Sequence, residues 1–230
     1  MRTDGIALLS PSERQRYGDM KHPTPADRFL LGRVLLRRVL AQYLDTDPAA
    51  LLFRFNDNGK PELANPTSSG VSFSLSHSGK DIVLAVARAA AIGVDLEALD
   101  RAAAAYRISQ RFFSLPERQH IETLGEERTT RALFLWALKE SIVKARGDTV
   151  WDGLEGISLV IDGNRIDWLP PTDMGEAAWK LAAGVFCENF VLALAVNLPN
   201  SQASRELGVR AYRFGQDTIE ELSFEPISRN

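Results

Sequence analysis

Residues 91–97, Ala-Ile-Gly-Val-Asp-Leu-Glu, constrain the fold most, because their strict alternation is that of a β-strand. One face is apolar and suited to a core, whereas the other carries Asp95 and Glu97 behind Gly93. Two carboxylates about 7 Å apart on one face repel each other unless a positive charge lies between them. The pattern therefore predicts either a solvated acidic edge strand or a site for a hard cation such as Mg²⁺.

The composition is that of a globular protein of one large domain or two small ones, with 230 residues, 45% hydrophobic and 25% charged. A formal net charge of −3 disfavours non-specific nucleic-acid binding. The single cysteine excludes an intrachain disulfide and fits a reducing compartment. No apolar run reaches about 18 residues and the first residues lack a signal-peptide pattern, so we expect a cytoplasmic protein without a membrane partner.

Helical patterns followed by antiparallel strand patterns occur twice along the chain. In the first half, a long amphipathic helix follows residues 24–27, and short β-type runs cover residues 71–75 and 82–86. In the second half, helical patterns cover residues 102–113 and 129–146, the latter stopped by Gly147. This order predicts an α+β pseudo-dimer of two similar halves, each with helices packed on a small antiparallel sheet. We expect the halves at residues 1–100 and 101–199, and a polar C-terminal extension at residues 200–230.

Other polar clusters have both a structural and a functional interpretation. Glu140 and Lys144 share a helix face, as a surface ion pair or as part of a site. His77 lies in a serine-rich turn, as a hydrogen-bonded polar residue or as a phosphate contact. Basic residues crowd the first forty positions, on a solvated helix surface or around an anionic ligand. They include Arg14, Arg16, Lys21, Arg28, Arg33, Arg37 and Arg38.

Five segments stand in an order that is specific as a series. They are Gly59-Lys60-Pro61, residues 73–79 (Phe-Ser-Leu-Ser-His-Ser-Gly), residues 92–97, Phe112-Phe113-Ser114, and residues 136–144 (Trp-Ala-Leu-Lys-Glu-Ser-Ile-Val-Lys). The series resembles the 4′-phosphopantetheinyl transferases of the larger, surfactin-synthetase-activating (Sfp-like) type, over about residues 8–198.

The resemblance implies an enzyme that moves the 4′-phosphopantetheine arm of coenzyme A onto a serine of an apo acyl or peptidyl carrier protein. The other product would be adenosine 3′,5′-bisphosphate, and the metal would be Mg²⁺ or Mn²⁺. The metal ligands of the family fall on Asp95, Glu97 and Glu140. The resemblance also implies that Glu140 is the base for the serine hydroxyl and that Lys144 contacts the phosphates as a second catalytic residue.

The resemblance further implies a set of coenzyme A contacts in addition to Lys144. Lys60 and Pro61 would lie against the adenine, Ser76 and His77 would contact the phosphates, and Arg28 and Arg16 would lie near the 3′-phosphate, with Lys139 in a less defined role. Glu117 occupies a recurring acidic position of the family, but its sequence context Ser114-Leu115-Pro116-Glu117 is also a helix capping box.

The chain departs from the family pattern in two places. Family members usually have a β-strand and a short acidic helix before the segment that matches Leu9, and this chain starts almost at that point. Some relatives carry a lysine for the 3′-phosphate where Glu13 stands. The second departure weakens the predicted contacts of the N-terminal segment.

Two other functions remain as alternatives. A non-catalytic coenzyme A or carrier-protein binding module on the same fold would bind without turnover. A metal-dependent phosphohydrolase would cleave coenzyme A without a carrier. Because both halves lie in one chain, we expect a monomer with one active site between them.

Overall fold

The fold is that of a computed structural model, which describes residues 2–64, 70–149, 154, 156–169, 178–204, 206–214 and 219–229. Its elements before residue 100 are α1 (Arg2–Ala7), α2 (Pro11–Asp19), α3 (Pro23–Leu44), β1 (Phe53–Phe55), β2 (Pro61–Leu63), β3 (Val71–Ser78), β4 (Asp81–Arg88) and β5 (Ala91–Ala98). The later elements are α4 (Ala102–Phe112), α5 (Leu115–Glu122), α6 (Arg128–Arg146), β6 (Ser158–Asp162), β7 (Arg165–Leu169), β8 (Ala178–Phe186), β9 (Phe190–Leu198), β10 (Ala211–Phe214), β11 (Ile219–Leu222) and β12 (Ile227–Arg229). Helices followed by antiparallel hairpins confirm the α+β class. The pseudo-dimer relation of the halves and the domain boundaries stay predictions.

The helix ends follow local sequence signals. Ser10 starts α2 in a capping box with Glu13, and Pro11 occupies the first turn. The long helix of the first half begins at Pro23, slightly before the predicted start at residues 24–27, since proline is favoured in the first turn. As predicted, α6 stops at Gly147, whose φ of 81° is the left-handed conformation that glycine adopts without strain.

The central sheet joins strands from distant parts of the chain in the order β5-β9-β8-β12-β7-β6. Along its whole length, β5 pairs antiparallel with β9, from Ala91 opposite Asn197 to Ala98 opposite Phe190. The strand β12 lies inside the sheet, antiparallel to β8 and parallel to β7. The segment that we expected to be an extension thus supplies an interior strand. With three residues, β12 is too short to show a period in the sequence.

The strand β5 is buried on both faces, because α6 covers one and an apolar cluster with β4, β8 and β9 covers the other. Asp95 is 3% exposed and Glu97 is 6% exposed, so the interpretation as a solvated acidic edge is wrong. Gly93 lets the strand lie directly on α6, since a Cβ at that position would be 1.8 Å from the carbonyl oxygen of Ser141. The carboxylate face of β5 therefore points at the helix that carries Glu140 and Lys144.

The β3–β4 hairpin is attached to β5 through side chains. Serine hydroxyls at alternate positions of β3 accept hydrogen bonds from backbone N–H groups of β5: Ser74 from Val94, Ser76 from Leu96 and Ser78 from Ala98. The shared two-residue period sets the register between the two strands. It also places the hydroxyl of Ser76 next to the carboxylate of Asp95.

Besides the apolar cluster beside β5, two further apolar cores hold these elements together. The larger lies between α6 and the central sheet, and the smaller lies between α3 and the β3–β4 hairpin, around Leu36, Leu40 and Phe73. In the described part of the chain, no helix is both long and apolar enough to cross a membrane.

Candidate active site

Asp95 and Lys144 form the centre of the candidate site, where β5 meets the last turns of α6. Lys144 Nζ donates to Asp95 Oδ1 at 2.5 Å. Ser76 Oγ donates to the same carboxylate oxygen at 2.9 Å and accepts from Lys144 Nζ at 3.0 Å. Ser76 also accepts from the backbone N–H of Leu96, so its hydroxyl has one donor bond and two acceptor bonds. Ser76, predicted to contact coenzyme A, is buried and positions Asp95 and Lys144 relative to each other.

Glu140 is the second carboxylate beside Lys144, one helical turn before it. Its Oε2 lies 3.5 Å from Lys144 Nζ. Burial, followed by the negative charge of Asp95 and that of Glu97, raises the pKa of Glu140 to about 7. Lys144 lowers this pKa but does not outweigh those causes. The site thus brings the carboxylates of Asp95 and Glu97 on β5 and of Glu140 on α6 close enough to repel one another beside a single lysine.

Glu97 lies on the same face of β5 as Asp95 and has two partners that the sequence analysis did not identify. Trp136 Nε1 donates to one carboxylate oxygen at 3.1 Å, and Arg101 donates to the other at 2.8 Å. Burial and the charge of Asp95 raise the pKa of Glu97. Trp136 belongs to the segment that carries the family resemblance, but its partner lies 39 positions away on another element.

The three carboxylates suit a divalent cation by their chemistry. Within the described residues, Oδ2 of Asp95 is buried and has no hydrogen-bond partner. Buried carboxylate oxygens without donors are costly, and they are the ligands that Mg²⁺ prefers. The described residues nevertheless contain no group of three His, Cys, Asp or Glu side chains already close enough to hold a metal. The fit consists of the unpartnered oxygen and the mutual repulsion of Asp95, Glu97 and Glu140.

A positive surface flanks this cluster at the turn between β3 and β4. His77 is exposed at the end of β3, and Arg28 of α3 lies at the same turn, with one guanidinium nitrogen 3.5 Å from the carbonyl oxygen of Gly79. Partial burial, then the charges of Arg28 and Lys144, lower the pKa of His77. His77 thus lies close enough to Arg28 and Lys144 for both cations to lower its pKa, and their contact with a common anion stays a prediction.

Lys60, Pro61 and Arg16 lie farther from the carboxylates. The ammonium group of Lys60 donates to the carbonyl oxygens of Lys144 and Ala145 at the end of α6. Burial lowers the pKa of Lys60. Pro61, partly exposed, begins β2. Arg16 is exposed on α2 and stacks over the ring of Phe29 at 5.2 Å.

Lys139 lies outside the site. Its side chain is 0% exposed and forms an ion pair with Glu117, whose side chain is equally buried. Its ammonium group also donates to the carbonyl oxygen of Ile157. This geometry does not fit the predicted coenzyme A contact, because Lys139 has no surface towards a ligand. Glu117 closes the predicted capping box with Ser114, which supports its structural interpretation.

Two protein families match successive parts of the chain. Residues 91–195 match the family described as the 4′-phosphopantetheinyl transferase superfamily, and residues 3–89 match that described as 4′-phosphopantetheinyl transferase, N-terminal. The chain is 33% identical over 195 residues to the 4′-phosphopantetheinyl transferase HetI of Nostoc sp.. That alignment covers 84% of this chain and 80% of HetI. It is 30% identical over 158 residues to the 4′-phosphopantetheinyl transferase Sfp of Bacillus subtilis, covering 68% and 65% of the two chains.

Among solved structures, the holo-[acyl-carrier-protein] synthase of Neisseria meningitidis aligns with a TM-score of 0.40 and 19% identity. That alignment covers 47% of this chain and 98% of the synthase.

Proposed function

Because the chain belongs to the 4′-phosphopantetheinyl transferase superfamily, we propose that it transfers the 4′-phosphopantetheine arm of coenzyme A to a serine of an apo acyl or peptidyl carrier protein. The other product is adenosine 3′,5′-bisphosphate, and the enzyme is of the Sfp-like type. The observation that supports this proposal is the contact between Asp95 and Lys144, next to Glu140 and to a buried carboxylate oxygen without a partner.

Asp95, Glu97 and Glu140 would hold Mg²⁺ through their carboxylate oxygens. When bound, the ion supplies positive charge that neutralises the pyrophosphate of coenzyme A. Asp95 offers Oδ2 for this purpose while Oδ1 keeps its bonds to Lys144 and Ser76. The arrangement lets Asp95 orient Lys144 and retain an oxygen for the cation.

Glu140 and Lys144 are the residues that act on the reacting atoms. The serine oxygen of the carrier attacks the phosphorus bonded to the pantetheine arm, and the bond from that phosphorus to the bridging pyrophosphate oxygen breaks. Glu140 accepts the proton of the serine hydroxyl, for which a carboxylate of raised pKa is suited. Lys144 holds its positive charge beside the leaving phosphate, which departs as part of adenosine 3′,5′-bisphosphate.

The basic surface beside the carboxylates would bind the remaining phosphates. His77 and Arg28 lie at one turn, and both place positive charge or hydrogen-bond donors at the entrance to the cluster. Arg16 and Pro61 stay candidates for the nucleotide end of coenzyme A. A single chain would hold a complete site, since β5 and α6 supply the three carboxylates, so we propose a monomer that acts in the cytoplasm.

The test is to incubate the protein with coenzyme A, Mg²⁺ and a panel of apo carrier proteins, and to look for the mass gain of the phosphopantetheine arm on a serine. Modification of at least one carrier is expected, together with loss of modification in Asp95→Ala and Glu140→Ala variants that remain folded. No modification of any carrier, under conditions where a known transferase acts, would overturn the proposal. Binding of coenzyme A without turnover would favour the binding module, and cleavage without a carrier would favour the phosphohydrolase.

A further inference from the structure

The C-terminal end of α6 is capped by a turn from the other half of the chain, residues 56–60, which we name the cap turn. The side-chain amides of Asn56 and Asn58 both donate to the carbonyl oxygen of Gly147, at 3.0 and 2.9 Å. Lys60 Nζ donates to the carbonyl oxygens of Lys144 at 2.5 Å and Ala145 at 3.3 Å. The end of α6 therefore receives its capping donors from residues about ninety positions earlier in the sequence.

A helix end needs such partners, since its last four carbonyl groups have none within the helix. The backbone N–H groups of Gly147 and Asp148 both turn back to the carbonyl oxygen of Val143, so they leave the following carbonyls to other donors. The partial negative charge of a helix C-terminus also favours the ammonium group of Lys60. The cap turn thus satisfies carbonyl groups that would otherwise be left to solvent.

Hydrogen bonds within the cap turn hold its shape in addition to those that it makes to α6. Asn56 Oδ1 accepts hydrogen bonds from the backbone N–H groups of Asn58 at 3.1 Å and Lys60 at 2.8 Å. The backbone N–H of Asn56 donates to the carbonyl of Lys60, and that of Gly59 donates to the carbonyl of Asn56. One side-chain atom of Asn56, Oδ1, shapes the turn, while the other, Nδ2, caps the helix.

The capped turn of α6 is also the one that carries Lys144. Its carbonyl oxygen is held by Lys60, while its ammonium group reaches Asp95 Oδ1 at 2.5 Å. One turn earlier, Gly93 allows β5 to contact the carbonyl oxygen of Ser141 directly. The position of Lys144 relative to Asp95 therefore depends on the contacts that α6 makes with β5 and with the cap turn.

We propose that Asn56 and Asn58 are positioning residues for Lys144. By capping α6, they hold its last turn where the ammonium group of Lys144 meets both Asp95 and the phosphates of coenzyme A. This inference rests on the proposed function and assigns it two residues that neither touch the reacting atoms nor belong to the predicted site. The family resemblance did not include them, because their partner lies on a distant element.

The first experiment measures the steady-state kinetics of the double variant Asn56→Asp, Asn58→Asp. It keeps Oδ1 of residue 56 for the turn, but replaces both capping donors with carboxylate oxygens at the negative end of a helix. We expect kcat to fall about 10- to 30-fold, as for the loss of two hydrogen bonds, with the KM for coenzyme A within about twofold of wild type. An unchanged kcat with a raised KM would overturn the inference, since the turn would then only bind coenzyme A.

The matched control is Asp57→Asn, which changes one charge in the same turn. Asp57 is exposed, and in the described part of the chain it has no hydrogen bond to α6. Its kcat should stay within about twofold of wild type. Circular dichroism at the assay temperature establishes that the variants are folded, and an equal loss of kcat in the control would contradict the positioning role.

The second experiment distinguishes positioning from general stability by measuring amide hydrogen exchange in α6. Exchange at residues 142–146 should rise in the double aspartate variant and stay unchanged in Asp57→Asn, while residues 132–138 keep their protection. In a Lys144→Ala background, adding the two aspartates should lower any remaining kcat by less than about twofold, because the group they position is gone. Unchanged exchange at residues 142–146, or a loss of the same size in both backgrounds, would overturn the inference.

Failure of the inference and failure of the proposed function give different results. If the wild-type protein modifies no carrier, the proposed function fails, whereas hydrogen exchange still reports on the cap. If the wild-type protein modifies a carrier and the double variant retains its kcat, only the positioning role fails.

Discussion

The two halves of the chain contain the same arrangement, a capping-box glutamate paired with a cation, but the two pairs differ in burial. In each half, the glutamate of a capping box, Glu13 or Glu117, pairs with a cation from the long helix that follows, Arg37 or Lys139. Each cation also donates to a backbone carbonyl just after that helix, at Leu51 or Ile157. The capping box, the cation and the carbonyl follow in the same order in both halves, which supports the predicted pseudo-dimer.

The difference between the pairs lies in their access to water and in their partners. Glu117 and Lys139 are both 0% exposed, and Glu117 also accepts from the backbone N–H of Leu159. The side chain of Glu13 is 11% exposed, and a second cation, Arg33, lies 3.4 Å from it. The pair in the second half is closed to water, and loss of either member of this closed pair would leave a buried charge alone. In the first half, Arg33 is a spare cation, because it would remain beside Glu13 if Arg37 were lost.

The comparison also explains why one residue in each half does not make a predicted coenzyme A contact. Glu13, which stands where some relatives have a lysine for the 3′-phosphate, forms ion pairs with Arg37 and Arg33. Lys139, which belongs to the segment 136–144 of α6, forms an ion pair with Glu117. In both halves, the charge serves the attachment of a short helix to a long one.

The largest expected effect is that of Lys139→Ala, which would leave Glu117 buried without a cation. We expect the free energy of unfolding to fall by about 3–5 kcal/mol, because an uncompensated buried charge is costly. Urea denaturation followed by circular dichroism measures this change. A stable variant with a raised KM for coenzyme A would instead place Lys139 in the ligand site and end the comparison.

A smaller loss is expected for Arg37→Ala in the other half. Arg33 remains beside Glu13, and water reaches part of that carboxylate, so we expect a loss of about 2–3 kcal/mol. The same denaturation experiment gives the value. A loss as large as that of Lys139→Ala would show that Arg33 does not act as a spare cation.

The pH dependence of Glu13→Gln sharpens the comparison further. Burial raises the pKa of Glu13, but the hydrogen bonds from the Ser10 N–H and from Arg37 outweigh it and lower that pKa below its usual value. A lowered folded-state pKa means stabilisation that is present above the unfolded-state pKa and is lost as the pH falls through the folded-state pKa. The variant should be about 1–2 kcal/mol less stable at pH 7, and the difference should shrink between about pH 5 and pH 3.

Denaturation of wild type and Glu13→Gln at a series of pH values measures this difference. The matched variant Glu62→Gln removes an exposed carboxylate that pairs with Arg54, and it should show a small difference throughout. A gap for Glu13→Gln that widens on acidification would contradict the lowered pKa.

The smallest effect is expected when both members of the closed pair are replaced by apolar residues, in Glu117→Leu, Lys139→Met. Replacing a buried ion pair by residues of similar volume is often close to neutral. We therefore expect a loss of only about 1–2 kcal/mol, which arises because the backbone N–H groups of Ser114 and Leu159 lose their acceptor. The kcat and the KM for coenzyme A should stay near the wild-type values, since neither residue faces the site. Loss of transfer in a folded double variant would show that the pair also serves the reaction.

Local patterns predicted those features that depend on neighbours in the sequence. The alternation at residues 91–97 predicted which face of β5 carries Asp95 and Glu97, and the Ser-x-x-Glu pattern at Ser114 predicted the start of α5. The spacing of Glu140 and Lys144 predicted their shared helix face, and the two side chains lie 3.5 Å apart. Periods of two and 3.6 residues contain this information directly.

Motif membership did not predict the direction of each side chain. Lys139 and Lys144 stand in one segment, but five residues of helix place them about 140° apart. Lys144 therefore faces β5, whereas Lys139 faces α5 and the segment before β6. The partners of Glu97, the insertion of β12 and the capping of α6 were likewise missed, because each depends on a contact between distant positions.

The sequence by itself determined the α+β class, the carboxylate face of β5, the two capping boxes and the family to which the chain belongs. Only the tertiary structure decided that β5 is buried on both faces, that Lys139 is in a closed ion pair, and that a turn of the first half caps the helix carrying Lys144. The physical reason is that local periodicity and capping arise from residues a few positions apart. Burial and long-range hydrogen bonds depend instead on which elements come together, and no short stretch of sequence records that.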